Sequence, residues 1–395
     1  MSQTAPAAGR PLHDLLERRS GANARFFDAE SQRLARLCHR VAERFARGGR
    51  LIAFGRSPAA RSDARHIAVE FVHPVIVGKR ALPALGLAGE GGDLVGQVAL
   101  IAAADDIAIA FGAGEDGGEA ARAIALARGR GCLTVAFAPA GAEWEFVPPT
   151  SDAFVAQELT ETLYHLLWEL VHVFFEHRGL LEGRRARAVH DAGASSFLYP
   201  FLDERESDLE AVVEDVRRSV LIKAAEIGEL RAQTLTENAM ALAAAAETLR
   251  TAFTGGGKLL ALGNGGSATD AMDVVADVRA AGHPAIDLTE DPAILTAIAN
   301  DIGTEAIFSR QVIAYGAPGD VLIALSTSGN SANVIAALAE ARRRGLGTVA
   351  MVGYDGGRVA AEELADHVVV TRSQHIPRIQ EAQASAYHAL GELTG

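Results

Sequence analysis

The chain has 395 residues, enough for two domains of ordinary size, and its 49% apolar content permits a large buried core. A formal net charge of −13 argues against a nucleic-acid surface, and the short run Arg184, Arg185 and Arg187 reads as a solvated linker. Cys38 and Cys132 are the only cysteines; without a CxxC spacing and within apolar-periodic segments, they predict two buried thiols in a reducing compartment. The N-terminal MSQTAPAAGRPLHDLLERR has no apolar h-region, and no apolar run is long and uncharged enough to span a bilayer. The helix near Leu163–Phe175 is interrupted by His165, Glu169 and His172, so it is expected to be buried in protein. The expectation is a cytoplasmic protein with no membrane or nucleic-acid partner.

Residues 1–12 read as disordered. A helix is predicted around Glu30–Arg47, where Leu34, Leu37, Cys38, Val41 and Phe45 share one face. A strand Arg50–Phe54, a turn at Gly55-Arg56-Ser57-Pro58 and a helix Ala60–Phe71 follow, with a further strand at Pro74–Val77. Asp106–Phe111 is a strand, Glu119–Arg130 a helix, Leu133–Phe137 a strand and Ala153–Glu176 a long helix. Residues 178–206 read as a linker carrying an aromatic patch, Phe197, Tyr199 and Phe201, that packs a crossover or docks. One helical region then runs Asp208–Thr254, followed by strands Lys258–Leu262, Asp320–Leu325 and Thr348–Val352, and a closing helix Pro377–Leu393.

The second half repeats the first. GGRLIAFG at 48–55 matches GGKLLALG at 256–263, and DDIAIAFG at 105–112 matches GDVLIALS at 319–326. ARAIALARGRGCLTVAF at 121–137 matches IAALAEARRRGLGTVAM at 335–351, and QELTETLYH at 157–165 matches QEAQASAYH at 380–388. Four blocks in one order predict a tandem duplication of an α/β domain with a mainly parallel sheet. The expected domains are 13–177 and 208–395, joined by a linker at 178–207.

Two loops of the second half read as a phosphate cradle. Gly263-Asn264-Gly265-Gly266-Ser267 follows a strand and opens a helix, as does Ser326-Thr327-Ser328-Gly329-Asn330-Ser331. Backbone N–H groups and the helix dipole at such a terminus favour a dianion, and the hydroxyls of Ser326, Thr327, Ser328 and Ser331 add donors. Ser267 offers one more from the other loop. The bland alternative is an ordinary helix N-cap, which accounts for one serine but not for four hydroxyl residues in six. In the first half Gly112-Ala113-Gly114-Glu115-Asp116 occupies the serine loop's place, and its carboxylates would repel phosphate, with Arg56 and Arg61 as partial compensation.

Through GNGGSATDAMDVVAD, LTEDPAILTAIANDIGTEAIFSRQV, GDVLIALSTSGNSANVIAALAEAR and RIQEAQASAYH, the second half resembles the sugar isomerase (SIS) domain, and within it the phosphoheptose isomerase group. The first half resembles the same domain in outline. The resemblance implies two tandem three-layer α/β/α flavodoxin-like domains, a phosphorylated sugar as ligand, and aldose–ketose isomerisation of a sedoheptulose 7-phosphate-like substrate. It implies substrate contacts from Asn264, Gly265, Ser267, Asp291, Ser326, Thr327, Ser328, Ser331 and Gln380. It also implies a zinc ion held by a His and a Glu four apart on one helix, with a Gln and a His on the last helix; that Glu and that last His are the proton-transfer pair. On the second half this pattern falls on Asp273, Asp277, Gln380 and His388, so two shorter carboxylates stand where His and Glu belong. On the first half it falls on His66, Glu70, Gln157 and His165, all four of the required types.

Each half thus keeps what the other lacks, and two arrangements fit: one composite site, or a sugar-phosphate site and a separate metal site. The leading expectation is an isomerase acting through an enediolate. In it Glu70 or Asp277 moves the proton, and His165 or His388 serves the oxygens. Zinc sits at His66, Glu70, Gln157 and His165, in a homo-oligomer built as a dimer of pseudo-dimers. The other reading is a non-catalytic phosphosugar-binding regulatory or scaffold protein. A nicotinamide dehydrogenase is disfavoured, because no GxGxxG with a downstream ribose-binding acid is present.

Overall fold

The computed structural model describes residues 9–75, 79–87, 92–112, 118–176, 181 and 208–395. The basic run, the aromatic patch and the Ala113–Asp116 part of the first-half loop lie outside them. Two compact units make up the chain: Ala22–Ala225, and Met1–Gly21 with Glu226–Gly395. The divisions fall inside two long helices rather than in the 178–207 segment.

The unit Ala22–Ala225 contains most of α1 (Gly9–Ala46), then β1 (Leu51–Phe54), α2 (Pro58–Val72), β2 (Ala84–Leu87), α3 (Leu94–Ile101), β3 (Ile107–Ala110), α4 (Glu119–Gly129), β4 (Leu133–Ala136), β5 (Trp144–Glu145) and α5 (Ala153–Glu176). The start of α6 (Leu209–Glu237) completes it. The strand order is β2-β1-β3-β4-β5, every pair parallel. The other unit holds the rest of α6, α7 (Ala239–Thr254), β6 (Leu259–Leu262), α8 (Gly266–Ala280), β7 (Ala285–Asp287), α9 (Pro292–Asp301), α10 (Ser309–Tyr315), β8 (Val321–Ser326), α11 (Ala332–Arg343), β9 (Gly347–Gly353), α12 (Gly357–Ala361), β10 (His367–Thr371) and α13 (Ile376–Thr394). Its sheet runs β7-β6-β8-β9-β10, again all parallel. Both orders are the flavodoxin-like 2-1-3-4-5, whose switch point lies between the first and third strands.

Alternation along the strands explains the layers. In β1, Leu51 and Ala53 join a core with α1, α2, α5 and α6, while Ile52 and Phe54 join one with α3 and α4. In β6, Leu259 and Ala261 face α7, α8 and α13, while Leu260 and Leu262 face α10 and α11. A buried aspartate pins the same corner in each unit. Asp106 accepts from Arg50 N at 2.8 Å, from the Arg50 guanidinium at 2.8 Å and from Ala103 N at 2.9 Å. Asp320 accepts from Lys258 N at 2.9 Å, Lys258 Nζ at 2.6 Å and Ala317 N at 2.9 Å.

Several boundaries differ from the sequence expectation. Helix α1 begins at Gly9 rather than Glu30: Pro11 is tolerated in a first helical turn, and Ala22, Phe26 and Phe27 extend the buried face N-terminally. The expected strand at Pro74–Val77 is not strand at Pro74 and Val75, its last two residues lie outside the described set, and the partner of β1 is Ala84–Leu87. The Asp208–Thr254 region is two helices, broken at Asn238, whose side chain bonds Thr234 O and both the N–H and the C=O of Val370 on β10. Cys38 and Cys132 are buried free thiols. Among the described residues no helix is long and apolar enough to cross a membrane.

Candidate active site

The serine loop begins on the last residue of β8 and ends at the N-terminus of α11. Ser331 sits at the N-cap position of α11 yet makes no capping hydrogen bond; its hydroxyl faces that of Ser326 at 3.4 Å. The bland N-cap reading therefore fails for the residue best placed to fulfil it. Ser326 Oγ accepts from Gly329 N at 3.2 Å, and Ser328 Oγ from Asn330 N at 3.1 Å, so the loop curls around its own hydroxyls. Gly329 has φ +62°, and a Cβ there would stand 2.2 Å from Gly356 O; glycine is needed for conformation and for space. Thr327 is half-buried between them.

The opposite loop turns at Gly265 (φ +59°, ψ −124°) into α8. Ser267 is buried in the first turn of α8. Asn264 and Asn333 exchange amide hydrogen bonds of 3.0 and 2.8 Å, tying the β6 loop to the first turn of α11 across the switch point. Asp291 accepts from Ala293 N and Ile294 N as the N-cap of α9. A cleft of about 790 Å³ opens on the other flank of the serine loop, lined by Ser328, Asn330, Tyr354, Asp355 and Arg372–His375. Tyr354 holds a left-handed backbone (φ 54°) at its wall, a conformation that costs a non-glycine residue energy and collects at functional positions. Sequence reasoning did not single out this β9 and β10 side.

On α13, Gln380 and His388 are buried, eight residues apart, about 12 Å along the axis. His388 Nε2 lies 3.8 Å from Asp277 Oδ2 on α8. Burial raises the Asp277 pKa, and the nearby His388 opposes the rise. Asp273, one turn earlier, receives the Tyr387 hydroxyl at 3.5 Å.

In the other unit the corresponding helices bring His66, Glu70 and His165 together, with one ligand atom of each within 4.8 Å of the others. All three are buried. His66 Nε2 is 3.3 Å from His165 Nε2 and 3.9 Å from Glu70 Oε1. Burial first, and His165 second, push the His66 pKa well below its usual value, so its ring is neutral and carries a lone pair. Two nitrogens on a tetrahedral ion with bonds of about 2.0–2.1 Å stand about 3.4 Å apart, so the donor set and its spacing fit zinc. Gln157 is half-buried near the start of α5, eight residues before His165. Tyr164 Oη lies 3.0 Å from His66 Nδ1. Its hydroxyl also bonds Asp63, whose carboxyl burial pushes up to about 8 against the lowering effect of that bond.

Arg56 does not wait for an anion. Its Nε and Nη2 grip Glu119 Oε2 and Oε1 at 2.6 and 3.1 Å, and Glu119 also accepts from Leu94 N at 2.7 Å. The Arg56 guanidinium holds the Glu119 carboxyl down to about 2. Extending the matched blocks, Arg56 aligns with Asn264 and Glu119 with Asn333. The same two positions bridge the same two loops in each half, as an ion pair in one and an amide pair in the other. The signal was present in the aligned blocks, one residue past the first and two before the third.

Comparison with known proteins agrees with this geometry. The SIS domain family profile matches residues 224–353. A phosphoheptose isomerase of Nitratidesulfovibrio vulgaris is 39% identical over 189 residues, 46% of this chain and 90% of that protein. One of Geotalea daltonii is 45% identical over 158 residues, 38% of this chain and 81% of that protein. The chain belongs to the SIS domain family, with its second half among the phosphoheptose isomerase homologues. Over its whole length the fold is that of tandem SIS proteins. The C-terminal domain of glucosamine-fructose-6-phosphate aminotransferase from Francisella tularensis superposes with TM-score 0.61 at 9% identity, over 99% of this chain and 97% of that one. Tagatose-6-phosphate ketose/aldose isomerase from Escherichia coli gives 0.56 at 14%, over 100% and 94%.

Proposed function

We propose that the protein is a cytoplasmic phosphosugar aldose–ketose isomerase, acting on sedoheptulose 7-phosphate or a sugar phosphate of that kind. The observation that carries this is the serine loop: it leads into the head of α11, the Ser326 and Ser331 hydroxyls face each other there, and Ser331 is not used as a cap. The phosphoheptose isomerase relatives supply the substrate class. The phosphate rests on Ser326, Thr327, Ser328 and Ser331, with Gly265 and Ser267 closing the other side of the switch point. The Asn264–Asn333 pair keeps that crevice free of charge.

In the reaction a base takes the proton from the carbon beside the carbonyl, forming an enediolate, and returns it to the neighbouring carbon while a proton moves between the two oxygens. Asp277 suits the base, because its raised pKa brings it nearer to neutral pH, and His388 stands beside it to serve the oxygens. Glu70 with His165 is the second candidate pair. His66, Glu70 and His165 would hold a divalent ion; when bound, such an ion supplies Lewis-acid polarisation of an oxygen. Asp277→Asn is expected to lower kcat on sedoheptulose 7-phosphate at least ~100-fold with little change in sugar-phosphate affinity, and Glu70→Gln separates the two pairs. Asp273 and Asp277, standing where the family pattern has His and Glu, favour a second reading as a non-catalytic phosphosugar sensor. Retained binding of sugar phosphates without turnover of any heptose or hexose phosphate would select it.

A further inference from the structure

We propose that Tyr164, braced by Asp63, is a positioning residue that fixes His66 as the Nδ1–H tautomer and so aims the Nε2 lone pair at the point shared with Glu70 and His165. The proposal rests on the reading of that trio as a divalent-metal site.

The direction of the hydrogen bonds follows from counting protons. A tyrosine hydroxyl has one proton to donate, and an ionised carboxylate can only accept. Above about pH 8, where the buried Asp63 is ionised, the Tyr164 proton points to Asp63, and the tyrosine oxygen accepts from His66 Nδ1, 3.0 Å away. A neutral imidazole with its proton on Nδ1 has its lone pair on Nε2. That is the nitrogen 3.3 Å from His165 Nε2 and 3.9 Å from Glu70 Oε1. Metal-bound histidines are oriented through the other ring nitrogen in this way, and a bound cation favours the carboxylate form of Asp63. Packing adds to the effect: the Tyr164 ring lies edge-on to both histidines, at 5.5 and 5.0 Å between centroids.

The other half provides an internal control. There Tyr387 sends its hydroxyl to Asp273, the residue in the His66 position. A carboxylate has no tautomer to set, so the same tyrosine has no such task.

The test uses the full chain labelled with ¹⁵N-histidine, metal-free, at about pH 9 so that Asp63 is ionised, with His66→Ala identifying the His66 signals among the 12 histidines. The wild type is expected to show His66 protonated on Nδ1, and Tyr164→Phe to shift it towards Nε2. In parallel, zinc is titrated into each protein. Tyr164→Phe is expected to weaken zinc binding ~10–100-fold while the chain stays folded by circular dichroism, Tyr387→Phe to leave it unchanged, and His66→Ala to abolish it. If His66→Ala abolishes binding while Tyr164→Phe keeps both tautomer and zinc affinity, the positioning role is wrong and the metal site stands. If His66→Ala binds zinc like the wild type, the metal reading fails and takes the proposal with it.

Discussion

The two halves share one topology and one bridging position, and they use that position in opposite ways. In the Ala22–Ala225 unit the loop after β1 is joined to α4 by Arg56 and Glu119, an internal cation with its own internal anion. In the other unit the loop after β6 is joined to α11 by the neutral Asn264–Asn333 pair. A helix N-terminus that already carries a carboxylate has no use for phosphate; one bridged by neutral amides adds no charge of its own to repel a dianion. The buried helix faces diverge in the complementary sense. His66 and Glu70 make a metal-type set with His165, while Asp273 and Asp277 lean on Tyr387 and His388.

The comparison can be broken most severely at Gly329. Gly329→Ala places a Cβ against Gly356 O in a left-handed backbone, so the loop has to move, and sugar-phosphate binding is expected to disappear in calorimetry while the sheet keeps its circular-dichroism signature. Next comes Asn333→Glu, which gives the second half the first half's carboxylate. Like-charge repulsion at the head of α11 is expected to cost at least ~10-fold in sugar-phosphate affinity, easing in high salt. Asn333→Gln, without the charge, is expected to cost less.

A smaller effect is expected from Glu119→Gln, read as stability. The folded Glu119 carboxyl is held at about 2 against an ordinary 4.5, so its ion pair stabilises fully above pH 4.5 and is lost as pH falls towards 2. In urea unfolding, the wild type should exceed the variant at pH 7, and the gap should close through that window. A gap that persists unchanged at pH 2 would mean that the carboxylate charge is not what matters there.

Much of this was legible in the residues. The matched blocks gave both β1–β3–β4 and β6–β8–β9 cores, because parallel central strands are continuous apolar runs ended by glycine turns. The edge strands were not legible: β2 is ALGL, and β5 is two residues long, so neither carries a period. His66, Glu70 and His165 were legible because alignment to a repeat supplied the spacing. Gln157 lies eight residues before His165 on α5, the same spacing as Gln380 and His388 on α13. The matched Tyr164 and Tyr387 stood beside the histidines in the same blocks, but only the geometry shows what each hydroxyl meets. The Glu119–Asn333 exchange went unread because its chemistry depends on Arg56 and Asn264, which are distant in sequence. The cleft at Tyr354 and Arg372–His375 had no motif at all; its residues converge because β9 and β10 end side by side.

The central claim is that the second half alone holds the sugar phosphate. Calorimetric titration of the full chain with sedoheptulose 7-phosphate, with and without the double change Ser328→Ala and Ser331→Ala, addresses it most directly. One site per chain, lost or weakened ~10-fold or more in the variant, is the predicted result. Two equivalent sites per chain, or one site indifferent to both serines, would contradict it.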